Sequence, residues 1–402
     1  MIDRVAGSPQ STRFLLLYAL AWAGGSIAYV PFLSILLPVR VSVLAGPGAE
    51  VAWLAYIAFA GAIAASIGNI GFGYLSDITR NRRAWIASGL ILSCGLLFAM
   101  RWASDLPLLI GLIVGWQLAL NMMLAPLAAW AGDCVPNRQK GLLGGLMAFA
   151  PALGALSGAL VTLPDFASTD SRLVLVGSIV AACILPVLVF GTPARIAEPE
   201  TPVRSASGET ERDLRPVERS AVLRMWFARL AVQLPEAALF SYLYFWFRSI
   251  DPAVGDNRTA QVFSAVLFVA APIALIAGRW SDRKDRPLVP LVVCAAISAA
   301  GLIGMAVAET LPAAIGAYAI FGIAVSIFLA HHSAQTLRVL PRPDRRGRDL
   351  GLFNLTNTMP SLIMPWFTLA LVPSFGFSGL FLLFGGLAVM AGLLLGTFRR
   401  RI

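Results

Sequence analysis

Arg229, Gln233 and Glu236 recur at i, i+4 and i+7 inside a long apolar run, which puts all three on one face of a helix. Glu236 is the acidic side chain that falls nearest the middle of such a run. An ionised carboxylate in hydrocarbon costs several kcal/mol, so Glu236 must be paired, protonated or set against a wet cavity. Arg229 lies two turns away, roughly 10 Å along the axis, a gap that two long side chains nearly close. Two readings follow. Either the two form a fixed ion pair that holds the helix in place, or Glu236 gains and loses a proton while Arg229 competes for the carboxylate. Near the end of another apolar run stand both histidines of the chain, His331 and His332, followed by Gln335. His331 shares a face with Gln335, and a histidine there either titrates near neutral pH or is held as a hydrogen-bond partner. Gln117 and Asn121, at i,i+4, need partners in hydrocarbon, and either an interhelical bond or a lined cavity would supply them. Asn354 and Asn357 add amides to a further run, and Trp22 and Tyr29, at i,i+7, add an aromatic face. The proton-coupling candidates are therefore Glu236, Arg229 and His331. The substrate-binding candidates are Trp22, Tyr29, Gln117, Asn121, Gln233, His332, Gln335, Asn354 and Asn357.

The elements that must position these groups follow from composition. Of 402 residues, 58% are hydrophobic and 13% charged, whereas soluble domains carry about a quarter charged. The apolar residues fall in runs of roughly 20, long enough to cross a hydrocarbon core of about 30 Å. Twelve runs are expected: about 14–37, 51–74, 84–100, 108–131, 142–163 and 173–190, then 223–247, 261–277, 288–308, 311–337, 352–372 and 377–397. Residues 192–222 are rich in Pro, Ser, Thr, Glu and Arg with almost nothing to bury, and read as a cytoplasmic linker. The expectation is an all-α membrane protein with 12 transmembrane helices in two six-helix pseudo-symmetric halves, 1–191 and 223–402, with both termini cytoplasmic.

A net charge of +10 invites a nucleic-acid reading, but its distribution argues against one. Of the 31 Lys and Arg, five (Arg40, Arg101, Arg172, Arg248, Arg258) fall in one set of loops and Arg229 falls in a span. The other 25 crowd the termini and the alternate loops, which is the positive-inside pattern, and their partner is the lipid bilayer. Cys94, Cys134, Cys183 and Cys294 form no CxxC or ligand cluster and read as small packing residues. Without a nucleotide loop, metal cluster or catalytic triad, neither an enzyme nor a cofactor or metal is expected. The first apolar run is too long for the core of a signal peptide and is expected to be retained.

A repeat ties the two halves together. Gly73-Tyr-Leu-Ser-Asp77-Ile-Thr-Arg80-Asn-Arg82-Arg83 returns as Gly278-Arg-Trp-Ser-Asp282-Arg283-Lys284-Asp285-Arg286, 205 residues later. Val135-Pro136 and Leu340-Pro341 keep the same offset, the sign of a duplicated membrane unit. In each turn the glycine is expected to allow close helix approach, the aspartate to cap a helix N-terminus, and the arginines to stay in the cytoplasm.

These features resemble the major facilitator superfamily, over almost the whole chain. Ile78 stands where that family usually has Arg, and Arg80-Asn81 replaces its x-Gly step. The resemblance implies a conformational latch at Gly73, Asp77, Arg82 and Arg83 and at Gly278, Asp282, Arg283 and Arg286, with Asp77 close to Asp349–Phe353. Within the family, Asn121-x4-Pro126-x6-Asp133-x2-Pro136 and Arg346-Gly347-Arg348-Asp349-Leu-Gly351-x2-Asn354-x2-Asn357-x2-Pro360-x4-Pro365 are similar to the glycoside–cation symporter and sucrose-transporter branch. Spans 1, 2 and 4 lack the carboxylates that usually couple cations in that branch, which leaves Glu236 as the proton carrier. The expected function is alternating-access secondary transport of a small polar solute, a glycoside or sugar, coupled to protons. The alternative is a proton-driven exporter of amphipathic compounds or drugs, which Ala150-Pro151-x2-Gly154 echoes. A monomer in a bacterial inner membrane is expected.

Overall fold

The computed structural model of the protein describes residues 9–46, 48–194, 216–284, 286, 288–339 and 346–397. Most of the expected linker, 192–222, lies outside the described residues, as do the side chains of Asp282 and Asn354.

The apolar runs are helical, and polar side chains cap four of the eight α-helices in the first part of the chain. Ser11 caps α1 (Thr12–Pro31) by accepting from Phe14 N, and a π-helical turn (Phe32–Leu36) leads into α2 (Leu37–Leu44). Helices α3 (Glu50–Thr79) and α4 (Arg82–Ala99) meet at the charged turn, and α4 ends in a short 3-10 turn, Met100–Trp102. Asp105 caps α5 (Leu106–Cys134) through Leu108 N at 2.9 Å. Helices α6 (Asn137–Met147) and α7 (Ala150–Val161) follow, and then α8 (Thr169–Phe190), capped by Ser168. Beyond the linker come α9 (Pro216–Ile250), α10 (Asp256–Lys284), α11 (Val289–Ala306), α12 (Leu311–Val339) and α13 (Arg346–Gly396).

Among the described residues, ten segments are long and apolar enough to cross a membrane. One of them, Thr356–Gly396, runs for 41 residues and is broken at Gly376, whose φ of 62° and ψ of −172° only glycine adopts readily. Several helices run past the expected bounds, as α10 does at 256–284 against 261–277, and two spans are also built differently. The first continues past residue 37 to Leu44, because Pro31 is accommodated by the π-helical turn and does not end the helix. At its far end Arg40 donates to the carbonyls of Arg101 and Ala103 at 2.7 and 2.8 Å. The fifth is split into α6 and α7, where Pro151 opens a new helix as a first-turn residue.

The packing repeats with the sequence. Adding 205 to the bounds of α5, 106–134, gives 311–339, the bounds of α12. Helix α3 packs on α5 as α10 packs on α12, α4 on α5 as α11 on α12, and α1 on α7 as α9 on α13. Bare glycine allows two of these contacts. A Cβ on Gly89 of α4 would lie 2.4 Å from Met123 N of α5, and one on Gly301 of α11 would lie 2.7 Å from Phe321 N of α12. Between α1–α8 and α9–α13 the main seams are α7 on α10 and α3 on α13, which the same offset also relates.

Candidate functional site

At the first charged turn Arg80 takes the left-handed conformation, φ 51°, and Asn81, not Asp77, caps α4 by accepting from Ala84 N at 3.2 Å. Asp77 sits in the last turn of α3 and pairs with Arg82, whose Nε also donates to Asp133 Oδ2 at 3.0 Å. Arg83 donates to the Gly191 carbonyl and lies over the Trp130 ring at 5.4 Å. The turn thus ties together α3, α4, α5 and the end of α8. Close approach does not explain Gly73, since a Cβ there meets nothing within 4 Å, and at Gly278 it would make only ordinary contact, 3.5 Å from His331 Nε2. In the second turn Arg283 and Arg286 are exposed, and Ser281 exchanges bonds with the backbone of Arg286 at 3.2 Å. The contact of Asp77 with Asp349–Phe353 that the resemblance implies falls on side chains outside the described residues.

Arg229 and Glu236 do not form an ion pair among the described residues. Arg229 is held instead by neutral partners from three helices. Its Nε donates to Gln233 Oε1 at 3.1 Å, one terminal nitrogen reaches Ser333 Oγ at 2.9 Å and His332 Nδ1 at 3.4 Å, and the other donates to Asn357 Oδ1 at 2.9 Å. Gln233 also donates to that oxygen at 3.2 Å, and His332 is fixed through Nε2 to the Met225 carbonyl at 2.9 Å. The fork of the guanidinium satisfies these acceptors and turns the charge away from Glu236.

Glu236 borders two cavities. The first, about 440 Å³, lies between the two groups of helices. Gln233, Glu236 and Phe240 reach it from one face of α9, Tyr29 from α1, Gln117 from α5, Tyr318 and Phe321 from α12, and Asn357 from α13. Tyr29, Phe240 and Phe263 form a continuous aromatic wall, with ring centres 6.4 and 6.0 Å apart. Most of the remaining lining is aliphatic. The second cavity, about 760 Å³, runs towards the charged turns between α7, α10 and α12 and is bordered by Glu236, Arg279, Ser281, His331 and Gln335. His331 donates from Nδ1–H to the Ile327 carbonyl, 3.0 Å away, and its buried Nε2 has no hydrogen-bond partner among the described residues.

The remaining candidates are placed elsewhere. Asn121 binds its own helix at the Gln117 carbonyl, 2.9 Å, and accepts from Asn69 at 3.4 Å, an interhelical bond. Trp22 packs against the apolar core and lines neither cavity. Outside the candidate set, Tyr242 and Trp246 of α9 are buried, with Trp246 edge-on to Phe381 at 5.0 Å.

One set of contacts carried no sequence signal. At the end opposite the charged turns, Arg172 at the start of α8 pairs with Asp256 at the start of α10. Beside them Asn257 donates to the Ala159 carbonyl and to Thr162 Oγ1, at 3.0 and 3.2 Å. This bridge closes one end of the seam between α7 and α10, whereas the ion pairs of the first turn stay within α1–α8. The sequence counts Arg172 only as a loop charge, and its partner lies 84 residues away.

Two groups of helices related by a repeat meet at two seams around a central cavity. The chain belongs to the Major Facilitator Superfamily, whose family model matches residues 14–342 and 259–401. It is a multi-pass membrane protein. Two Mycobacterium tuberculosis proteins, named uncharacterized MFS-type transporters Rv2994 and MT3072, are each 26% identical to it over 234 residues, 57% of this chain. The chain spans about half the length of these curated relatives, 51%. Among solved structures, a bacterial homolog of the human lysosomal transporter Spinster, inward-facing and occupied, superposes with a TM-score of 0.72. It is 14% identical, over 99% of this chain and 98% of that one. An inward-facing, unoccupied structure of a bacterial Spinster homolog gives 0.67, again at 14% identity, over 96% and 95% of the two chains. These likenesses concern the fold alone.

Proposed function

We propose that the protein is a secondary active transporter that moves a small solute by alternating access and couples the movement to protons at Glu236. The observation that carries this reading is the place of Glu236, which borders both cavities and has no hydrogen bond or ion pair among the described residues. A carboxylate so placed can exchange protons with water on the side of the charged turns and act on a solute in the central cavity. His331, whose Nε2 has no partner among the described residues and which borders the same second cavity, is the proton-coupling group nearest that side. Arg229 fixes α9, α12 and α13 to one another and has a structural part in coupling.

The architecture that goes with this reading has 12 transmembrane helices. Breaking the 41-residue segment at Gly376 and adding α9 to the ten apolar segments supports that number. The halves are 1–191 and 223–402, the linker 192–222 and both termini are cytoplasmic, and the protein works as a monomer in a bacterial inner membrane. The basic turns then face the cytoplasm, the Arg172–Asp256 bridge closes the outer side, and the Gly73–Arg83 and Gly278–Arg286 turns act as latches in the opposite state.

The aliphatic and aromatic lining favours an amphipathic solute. A glycoside is the second reading, favoured by the three amides, Gln117, Gln233 and Asn357, that reach the cavity. Proteoliposomes with an imposed pH gradient test the coupling. Uphill movement of a solute from a panel of glycosides and amphipathic compounds is expected, and Glu236→Gln abolishes the dependence on the gradient. Unchanged coupled transport in Glu236→Gln removes Glu236 from the mechanism.

A further inference from the structure

The central cavity has one charged side chain among its described lining residues. Tyr29, Phe240, Phe263, Tyr318 and Phe321 provide aromatic surface, and Glu236 stands one turn before Phe240 on the same face of α9. No Lys, Arg or His is among the described residues that border that cavity. The nearby cation, Arg229, is engaged by Gln233, His332, Ser333 and Asn357 and gives Glu236 no salt bridge. The chain has thus set an unneutralised carboxylate in an aromatic, largely apolar box of about 440 Å³. A neutral ligand leaves that charge uncompensated, and an anion is repelled by it. A cation with apolar bulk satisfies all of it: the charge meets the carboxylate, and the faces of the rings, which carry the negative part of their quadrupole, meet the same positive group.

We propose that the central cavity is a binding site for a monovalent organic cation with hydrophobic substituents, and that such a cation and a proton exclude each other at Glu236. The inference deepens the transport reading by naming the substrate class, and it rests on that reading for its physiological direction. The exchange balances in charge: the cation enters as the carboxylic proton leaves for water through the second cavity, and neither step needs a further reactant. The groups that face Glu236 are Tyr29 from α1, Tyr318 from α12, and, across the second cavity, Arg279 from α10 and His331 from α12, with Arg229 on its own helix. Among the described lining residues, α3, α5, α7 and α13 present no titratable group.

Equilibrium binding to the full-length protein in nanodiscs tests this without any transport step. The probes are tetraphenylphosphonium and tetraphenylborate, equal in shape and opposite in charge. Saturable binding of the phosphonium is expected at pH 8, with the borate at least roughly tenfold weaker. The phosphonium affinity falls as the pH is lowered to 5.5, with one proton released per cation bound at the lower pH. Glu236→Gln weakens phosphonium binding by roughly 10- to 100-fold and flattens the pH dependence, whereas Glu236→Asp keeps the preference for the cation. The charge discrimination and proton release are read on the unsubstituted protein and need no variant to fold. Equal binding of both probes, no saturable phosphonium binding, or full affinity in a folded Glu236→Gln protein would overturn the proposal. Phosphonium binding without proton-driven uptake of any solute in proteoliposomes would sink the coupling reading alone, and coupled uptake without phosphonium binding would sink only this one.

Discussion

Replacing Arg172 by methionine removes the charged bridge between α8 and α10 while keeping most of the apolar stem. The two side chains retain 14% and 21% of their exposure, so the pair lies between two regimes. Fully exposed pairs contribute about 0–1 kcal/mol, and breaking fully buried ones costs about 3–5 kcal/mol. Solvent screening at this exposure brings the expected loss to about 1–2 kcal/mol, a roughly 5- to 30-fold change in a conformational equilibrium. The bridge holds one end of the α7–α10 seam, so its loss should favour the state in which that end is open. Spin labels at Phe166→Cys and Ala253→Cys, both exposed at that end, report the opening as a longer distance in pulsed electron paramagnetic resonance. The background lacks Cys94, Cys134, Cys183 and Cys294. Asp256→Asn should produce the same shift, and the double variant should add little, because either change already breaks the pair. Identical distance distributions in the parent and Arg172→Met, or fully additive effects in the double variant, would refute the reasoning.

Arg229→Lys keeps the charge but has three donors on a flexible stem where five stand in a fixed fork. It should leave part of the network among Gln233, Ser333, His332 and Asn357 unpaired and cost about 1–3 kcal/mol. An unchanged melting temperature in detergent would count against this. Gly89→Ala forces a methyl group against Met123 N and should cost about 1–3 kcal/mol. Gly73→Ala enters open space and should melt with the parent protein. Equal melting of all three proteins would show that α4 and α5 separate freely.

Much of the fold could be read from the chain because the duplication carries both sequence and packing. The offset of 205 that relates Gly73 to Gly278 also maps α5 onto α12, so two related sets of packed helices were already implied. Single sites were less legible. Helical spacing put Arg229 and Glu236 on one face, but partners on α12 and α13 decide where the guanidinium points, and these are remote in sequence. Asn121 and Glu236 look alike as polar groups in apolar runs. One is absorbed by Asn69 and the other is left to a cavity, a difference set only by what packs opposite. Asn81 replaces Asp77 as the cap because α3 runs on through Asp77 to Thr79 before Arg80 turns left-handed and ends it, a change of backbone that side-chain type alone does not announce. The Arg172–Asp256 bridge joins the starts of two helices, whose charges, read alone, only mark sidedness.

The π-helical turn at Phe32–Leu36 makes the first span sensitive to length more than to composition. Tyr29, Leu33 and Leu37 all face the central cavity, although eight residues of regular α-helix would carry the last of them about 80° around the axis from the first. The wider turn absorbs that rotation. Deleting one residue from it would swing everything beyond by about 100°, turning Leu37 off the cavity and Arg40 away from the carbonyls of Arg101 and Ala103. Substitutions along 32–36 can be accommodated by repacking, but insertions and deletions cannot, and frame-preserving indels in this part of the gene should be purged where those between α2 and α3 survive.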